Sequence, residues 1–189
     1  MATGMLTHSG TASADMAART QAGAAAGKYL TFHLDREEFG IAVLRVREIM
    51  ALQDITAVPQ TPDYVKGVIN LRGKVIPVLC LRTRFGLPAA AYGPRTSIIV
   101  VEVRGESSLM QVGIIVDGVS EVLNVTPSDL EPTPDFGGGA VPAYLLGMAK
   151  SKDRVKILLD IDHVVSAAEV EALPMVRSSP ETNPNESVQ

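Results

Sequence analysis

The sequence is poor in the residues that most chemistry requires. Of its 189 residues one is cysteine, three are histidine and none is tryptophan. Cys80 alone cannot close an internal disulfide, and no neighbours complete a metal site around it. It lies in an apolar run, VIPVLCL, so a buried structural thiol is expected rather than a nucleophile, in a reducing compartment. No His-Glu-x-x-His or His-x-His spacing occurs. His8 sits near the start, His33 falls on the polar face of a strand, and His163 stands beside Asp160 and Asp162. Those two aspartates read as caps rather than a catalytic pair, with Asp162 opening a closing helix that runs to about Ala168. Gly137-Gly138-Gly139 lacks the Lys-Ser/Thr and helix start of a phosphate loop. No catalytic group, metal or cofactor is expected.

An excess of basic charge is missing too. Seventeen Lys and Arg stand against twenty-one Asp and Glu, a net charge of −4, which counts against binding nucleic acid through phosphate neutralisation. The acid-free stretch from Tyr64 to Val101 carries Lys66, Arg72, Lys74, Arg82, Arg84 and Arg95. A small-barrel nucleic-acid binder using Lys66–Arg95 is therefore the alternative reading, weakened because only Phe85 and Tyr92 follow Tyr64 as stacking partners. Nothing approaches the roughly 18 uninterrupted apolar residues of a membrane span. Nor do residues 1–27 place an apolar block behind a basic start. A cytoplasmic protein without membrane insertion is expected.

What is present is a dense series of short strands. Residues 1–27 are rich in Ala, Gly, Thr and Ser and read as a disordered tail, as do residues 169–189 for the most part. Between them, residues 28–168 hold all eight Tyr and Phe residues. Lys28–Asp35 alternates, with Leu30, Phe32 and Leu34 on one face, and a turn leads to Phe39–Ala42. Val43, Val46, Ile49 and Met50 are spaced as on a helix, which predicts one over Val43–Ala51. Gly67–Leu71 and Val75–Leu81 flank Arg72-Gly73-Lys74 and predict a tight hairpin, with Gly73 at positive φ. Leu81–Phe85 fits a single helical turn closed by Gly86. Further strands are expected at Thr96–Val103, Met110–Val116, Ser120–Val125, Tyr144–Lys150 and Arg154–Asp160. Short strands and frequent turns favour small barrels over a layered α/β sheet, in two halves of about residues 28–90 and 91–168 between which the chain is free to cross.

Residues 46–87, VREIMALQDITAVPQTPDYVKGVINLRGKVIPVLCLRTRFGL, carry V-R-E-I, I-T-x-V-P, P-x-Y-V-x-G-V-I-N-L-R-G, V-I-P-V-x-x-L-R and R-F-G-L in order. Together with FGI at Phe39–Ile41, VGIIVDGVSEVLNV, YLLGMAK and RVKILLDID, they make residues 28–168 resemble the CheW family. The resemblance implies a mainly β protein of two SH3-like five-stranded barrels with an apolar core between them. It implies an adaptor without catalysis or cofactor, whose partners are the cytoplasmic tip of a chemoreceptor and the regulatory domain of the histidine kinase CheA. It also implies recruitment to receptor arrays at the inner membrane face. Cys80 stands where that family usually has Asp, and Met148 where it has a smaller aliphatic.

Receptor tips are helical, so apolar anchors in a groove are the expected mode of docking. Val46 and Ile49 in the first half, and Val119 and Val122 in the second, are the candidate walls, with Arg72 beside them. Arg72 is expected to reach Glu48 on the predicted helix, or a carboxylate on a partner. Glu48, Ile55 and Lys66 are the candidate kinase contacts.

Overall fold

The computed structural model describes residues 24–105, 108–131, 133, 141–151, 154–166 and 169–170. The expectations for the first 23 residues, for Gly137–Gly139 and for the chain beyond Val170 lie outside the described residues. Alternating and doubly apolar runs form eleven strands among them: β1 (Gly27–Leu34), β2 (Glu37–Ala42), β3 (Val46–Ala51), β4 (Val65–Leu71), β5 (Lys74–Cys80), β6 (Ser97–Arg104), β7 (Leu109–Val116), β8 (Gly118–Val125), β9 (Leu130–Glu131), β10 (Leu145–Ser151) and β11 (Arg154–Leu159). Single helical turns, α1 (Leu81–Arg84) and α2 (Ile161–Val164), follow β5 and β11.

The strands make two sheets, ordered β8-β1-β2-β11-β10-β9 and β3-β6-β7-β5-β4. The protein is mainly β, as expected, with six and five strands in open order. The chain does not change sheets near residue 90. It leaves the first sheet after Ala42, completes the second between Val46 and Val116, and returns at Gly118.

Three further expectations need correction. The helix predicted over Val43–Ala51 is a three-residue 3-10 turn, Val43–Arg45, followed by β3. The closing helix is capped by Asp160, whose carboxylate accepts the Asp162 amide at 3.0 Å, and not by Asp162. The folded part also reaches past residue 168, because Val170 is buried in the main core.

The two sheets follow one plan. Pro62–Gly67 and Pro142–Gly147 share the spacing Pro-x-Tyr-x-x-Gly. In both, the proline carbonyl accepts the amide three residues on (2.8 and 2.9 Å), and the tyrosine carbonyl accepts the amide of the residue before the helical turn (2.7 and 2.9 Å). In both, the glycine sits at a bulge of the following hairpin. The second hairpin strand then lies parallel to a strand that carries a glycine, β2 or β7, with Leu158 opposite Gly40 and Val78 opposite Gly113. A Cβ at either glycine would crowd that very neighbour, at 2.9 Å from Leu158 and 3.2 Å from Val78.

The central strands of each sheet are buried on both faces, which is why β5, β6 and β7 read as near-continuous hydrophobic runs. The largest core cluster takes Leu30, Phe32 and Leu159 from one sheet and Ile99, Val101 and Ile114 from the other. The outer cores are private. Ile69, Ile76, Val78, Cys80, Ile98, Val100 and Ile115 fill the five-stranded half, and Tyr29, Val125, Ala149 and Leu158 the six-stranded one. Cys80 is buried, as expected for a structural thiol.

Two charged clamps tie the halves together. Arg82 on α1 pairs with Asp117 and, at 3.2 Å, with Asp35, both at ends of first-sheet strands. Asp162 on α2 pairs with Arg45 and accepts the Arg104 amide at 2.8 Å, both at ends of second-sheet strands. By the strand registers Arg104 is the counterpart of Asp35, and Asp162 that of Arg82. At these two positions the clamps are equivalent with their signs exchanged.

Candidate docking surface

β3 and β8 are matching edge strands, each paired on one side only. On β3, Val46 lies opposite Val101 and Ile49 opposite Ile99; on β8, Val119 lies opposite Phe32 and Val122 opposite Leu30. Between the members of each pair, two residues on the edge strand therefore face one on its neighbour, which is a β-bulge. In a regular strand residues three apart point to opposite faces. The bulge absorbs one residue and turns both members of each pair to the same face, towards the core shared by the sheets. It also imitates helical spacing, and so explains the wrong expectation for Val43–Ala51.

The four predicted walls thus occupy two pairs of equivalent positions. Val46 and Val119 pack partly buried against the shared core, while Ile49 and Val122 stay 45% and 55% exposed. Isolated exposed aliphatics carry no message. These two continue, at matched places, an apolar face that runs into the interior.

Arg72 stands at the tip of the β4–β5 hairpin. Leu71 pairs with Lys74, leaving a two-residue turn in which Arg72 (φ 51°) and Gly73 (φ 85°) both have positive φ. That is the twist-matched hairpin turn, and Asn70 supports it by accepting the Gly73 amide at 2.8 Å. Gly73 behaves as expected; the positive φ of Arg72 was not foreseen. Its guanidinium donates to Glu48 at 3.0 Å with the side chain 80% exposed, so the internal brace holds the cation out in water. Glu48 makes this contact from strand β3, not from a helix.

The other two candidate kinase contacts are less open. Ile55 packs partly buried against the core of the five-stranded half, and Lys66 donates to the Asp63 carbonyl at 2.7 Å. Thr56 beside Ile55 is bridged to Val68 by two hydrogen bonds of 2.9 Å. Half of the basic stretch is engaged within the protein: Arg72, Arg82 and Arg84 pair with Glu48, with Asp117 and Asp35, and with Glu169. Among the described residues no group of three or more His, Cys, Asp and Glu is placed to hold a metal. Among them, too, no helix is long and apolar enough to cross a membrane.

Sequence reasoning missed a second charged group, behind β8. Lys156 on β11 is 3% exposed, with its ammonium 3.0 Å from Glu121 and 3.2 Å from Glu38. Glu38 also accepts the Ser120 hydroxyl at 3.0 Å. Burial raises the Glu38 pKa, but the hydrogen bonds from Lys156 and Ser120 and the Lys156 charge outweigh it and hold the carboxyl below its ordinary value. Val119-Ser120-Glu121-Val122 shares the pattern Val-x-Glu-Ile/Val with Val46-Arg47-Glu48-Ile49, which marks the equivalent edge strand but not the buried lysine behind it.

Comparison with known proteins places this architecture. A family model described as CheW-like domain matches residues 28–169. Chemotaxis protein CheW of Klebsiella aerogenes is 37% identical over 152 residues, covering 80% of this chain and 89% of its own. Chemotaxis protein CheW of Rhizobium meliloti is 36% identical over 143 residues, covering 76% and 90%. The crystal structure of the scaffolding protein TtCheW from Thermoanaerobacter tengcongensis is similar with a TM-score of 0.66 and 33% identity, covering 77% of this chain and 97% of that one.

Proposed function

The chain belongs to the CheW family of chemotaxis scaffold proteins, and on that premise we propose that it couples the helical cytoplasmic tip of a chemoreceptor to the regulatory domain of a CheA-type kinase. It acts without catalysis or cofactor, in the cytoplasm, at receptor arrays. The observation that supports this reading is the matched pair of apolar edges. Val46 with Ile49 and Val119 with Val122 continue the shared core outwards on two edge strands, as a groove for an amphipathic helix requires. Arg72 stands on the same half as an exposed, pre-aimed cation able to take a partner carboxylate. Glu48, Ile55 and Lys66, all on the five-stranded half, form the kinase-facing group.

Arg72→Ala tests the proposal. An exposed ion pair contributes only about 0–1 kcal/mol to stability, so the fold is expected to survive. Loss of a paired cation from the interface is expected to cost on the order of 1–3 kcal/mol of binding. Circular dichroism checks the fold, and pull-down of a receptor fragment and of the kinase reads the binding. Wild-type capture of both partners would remove Arg72 from the surface. Arg72→Gly, which suits the positive φ, is expected to lose the same binding.

A further inference from the structure

The polar group buried behind β8 has no counterpart in the other half. The position equivalent to Lys156 is Ile76, which is 2% exposed in the apolar core of the five-stranded sheet. An aliphatic side chain therefore satisfies this place in the shared plan. Burying an ammonium between two carboxylates is not a route to greater stability, because desolvation offsets the attraction. The charge calls for another reason.

That reason lies on β8. At its bulge Ser120 and Glu121 together face Thr31, so the regular ladder to β1 is interrupted there. Side chains hold the segment instead. The Thr31 hydroxyl donates to the Glu121 carbonyl at 2.9 Å and accepts the Glu121 amide at 3.2 Å. Ser120 is fastened to Glu38, and the Glu121 carboxylate to Lys156. Lys156 joins both carboxylates, so a single buried cation fixes two consecutive residues, and these lie between Val119 and Val122. In the other half the corresponding glutamate, Glu48, is held by Arg72 from the outside.

We propose that Lys156 is a positioning residue for the receptor-facing edge of β8, setting the placement of Val119 and Val122 through Glu121 and through Glu38 and Ser120. The inference rests on the docking reading above for its consequence, but not for its geometry. Lys156 touches no partner. It acts by holding an edge strand that has lost part of its ladder.

The test is Lys156→Ile, which installs the residue of the equivalent position, with Glu121→Gln as a second variant altered at the exposed end of the same ion pair. Native-state hydrogen exchange of the Glu121 amide is expected to speed up by about tenfold or more in either variant, while the amides of β6 and β7 keep wild-type rates. Receptor-fragment binding is expected to fall about tenfold, with kinase binding unchanged. Wild-type exchange at Glu121 in both variants would overturn the inference, whatever the partners do. Equal loss of both partners would also overturn it, since that marks a merely structural role. A wild-type protein that binds no receptor fragment would sink the docking reading instead, and exchange would still decide the role of Lys156.

Discussion

Gly67→Ala is expected to destabilise the protein by roughly 3 kcal/mol or more, placing it among the severe single substitutions. A methyl group there would stand 2.0 Å from the Thr56 carbonyl oxygen and 2.9 Å from Ala57 Cα. Both are backbone atoms, so no side chain can swing aside. Thr56 is held by two hydrogen bonds to Val68, one residue beyond the glycine, and relieving the clash would break them. The backbone adds a second cost, because φ of 137° disfavours any L side chain. Gly147 supplies the control. It occupies the equivalent place with φ of 156°, but a Cβ there meets nothing nearer than 3.5 Å. Gly147→Ala is expected to cost only about 1 kcal/mol. At about 2–4 °C per kcal/mol for a chain of this size, thermal melts separate the two variants clearly. Equal losses would mean that the Thr56 segment gives way easily, and that the close approach does not constrain the fold.

The largest effect on binding is expected at Ile49 and Val122. Replacing either by Glu puts a charge on a half-exposed apolar position that the docking reading covers with a helix. The expected loss is about 2 kcal/mol or more of receptor-fragment affinity per site, the scale of an interface hot spot. Stability should move by no more than about 0.5 kcal/mol, since both side chains already meet water. The residues sit on edge strands of different sheets, so the losses are expected to add in the double variant. Titration with a labelled receptor fragment, alongside a melt of each variant, measures both quantities. Undiminished affinity in the double variant would take β3 and β8 out of the docking surface.

Much of the fold could be read from the chain, and the failures have physical causes. Strand alternation at Lys28–Asp35 and the glycine at the Arg72-Gly73 turn were plain because local geometry fixes them. The β3 bulge deceived, since an inserted residue turns period two into a spacing of three. The point of crossing between sheets was hidden because β2 with β11 and β5 with β7 pair in parallel across long stretches of sequence. Val46, Ile49, Val119 and Val122 could be singled out from the chain as candidate walls. That they form two equivalent pairs was not, although Pro-x-Tyr-x-x-Gly and Val-x-Glu-Ile/Val each occur twice. Lys156 escaped notice because a lone lysine in a strand reads as solvent-facing. Only the crowding of Glu38, Ser120 and Glu121 around it reveals that it points inwards.

The exchanged signs of the two clamps bear on how such a chain is free to evolve. The six-stranded half presents Asp35, Asp117 and Asp162, and the five-stranded half presents Arg45, Arg82 and Arg104. A copy of either half set against itself would bring acid to acid or guanidinium to guanidinium. Two modules of common design have in this way become non-interchangeable, like opposite gloves. A reversal of charge at Arg82 or Asp162, each of which serves two partners from the opposite half, is the change that this arrangement opposes most.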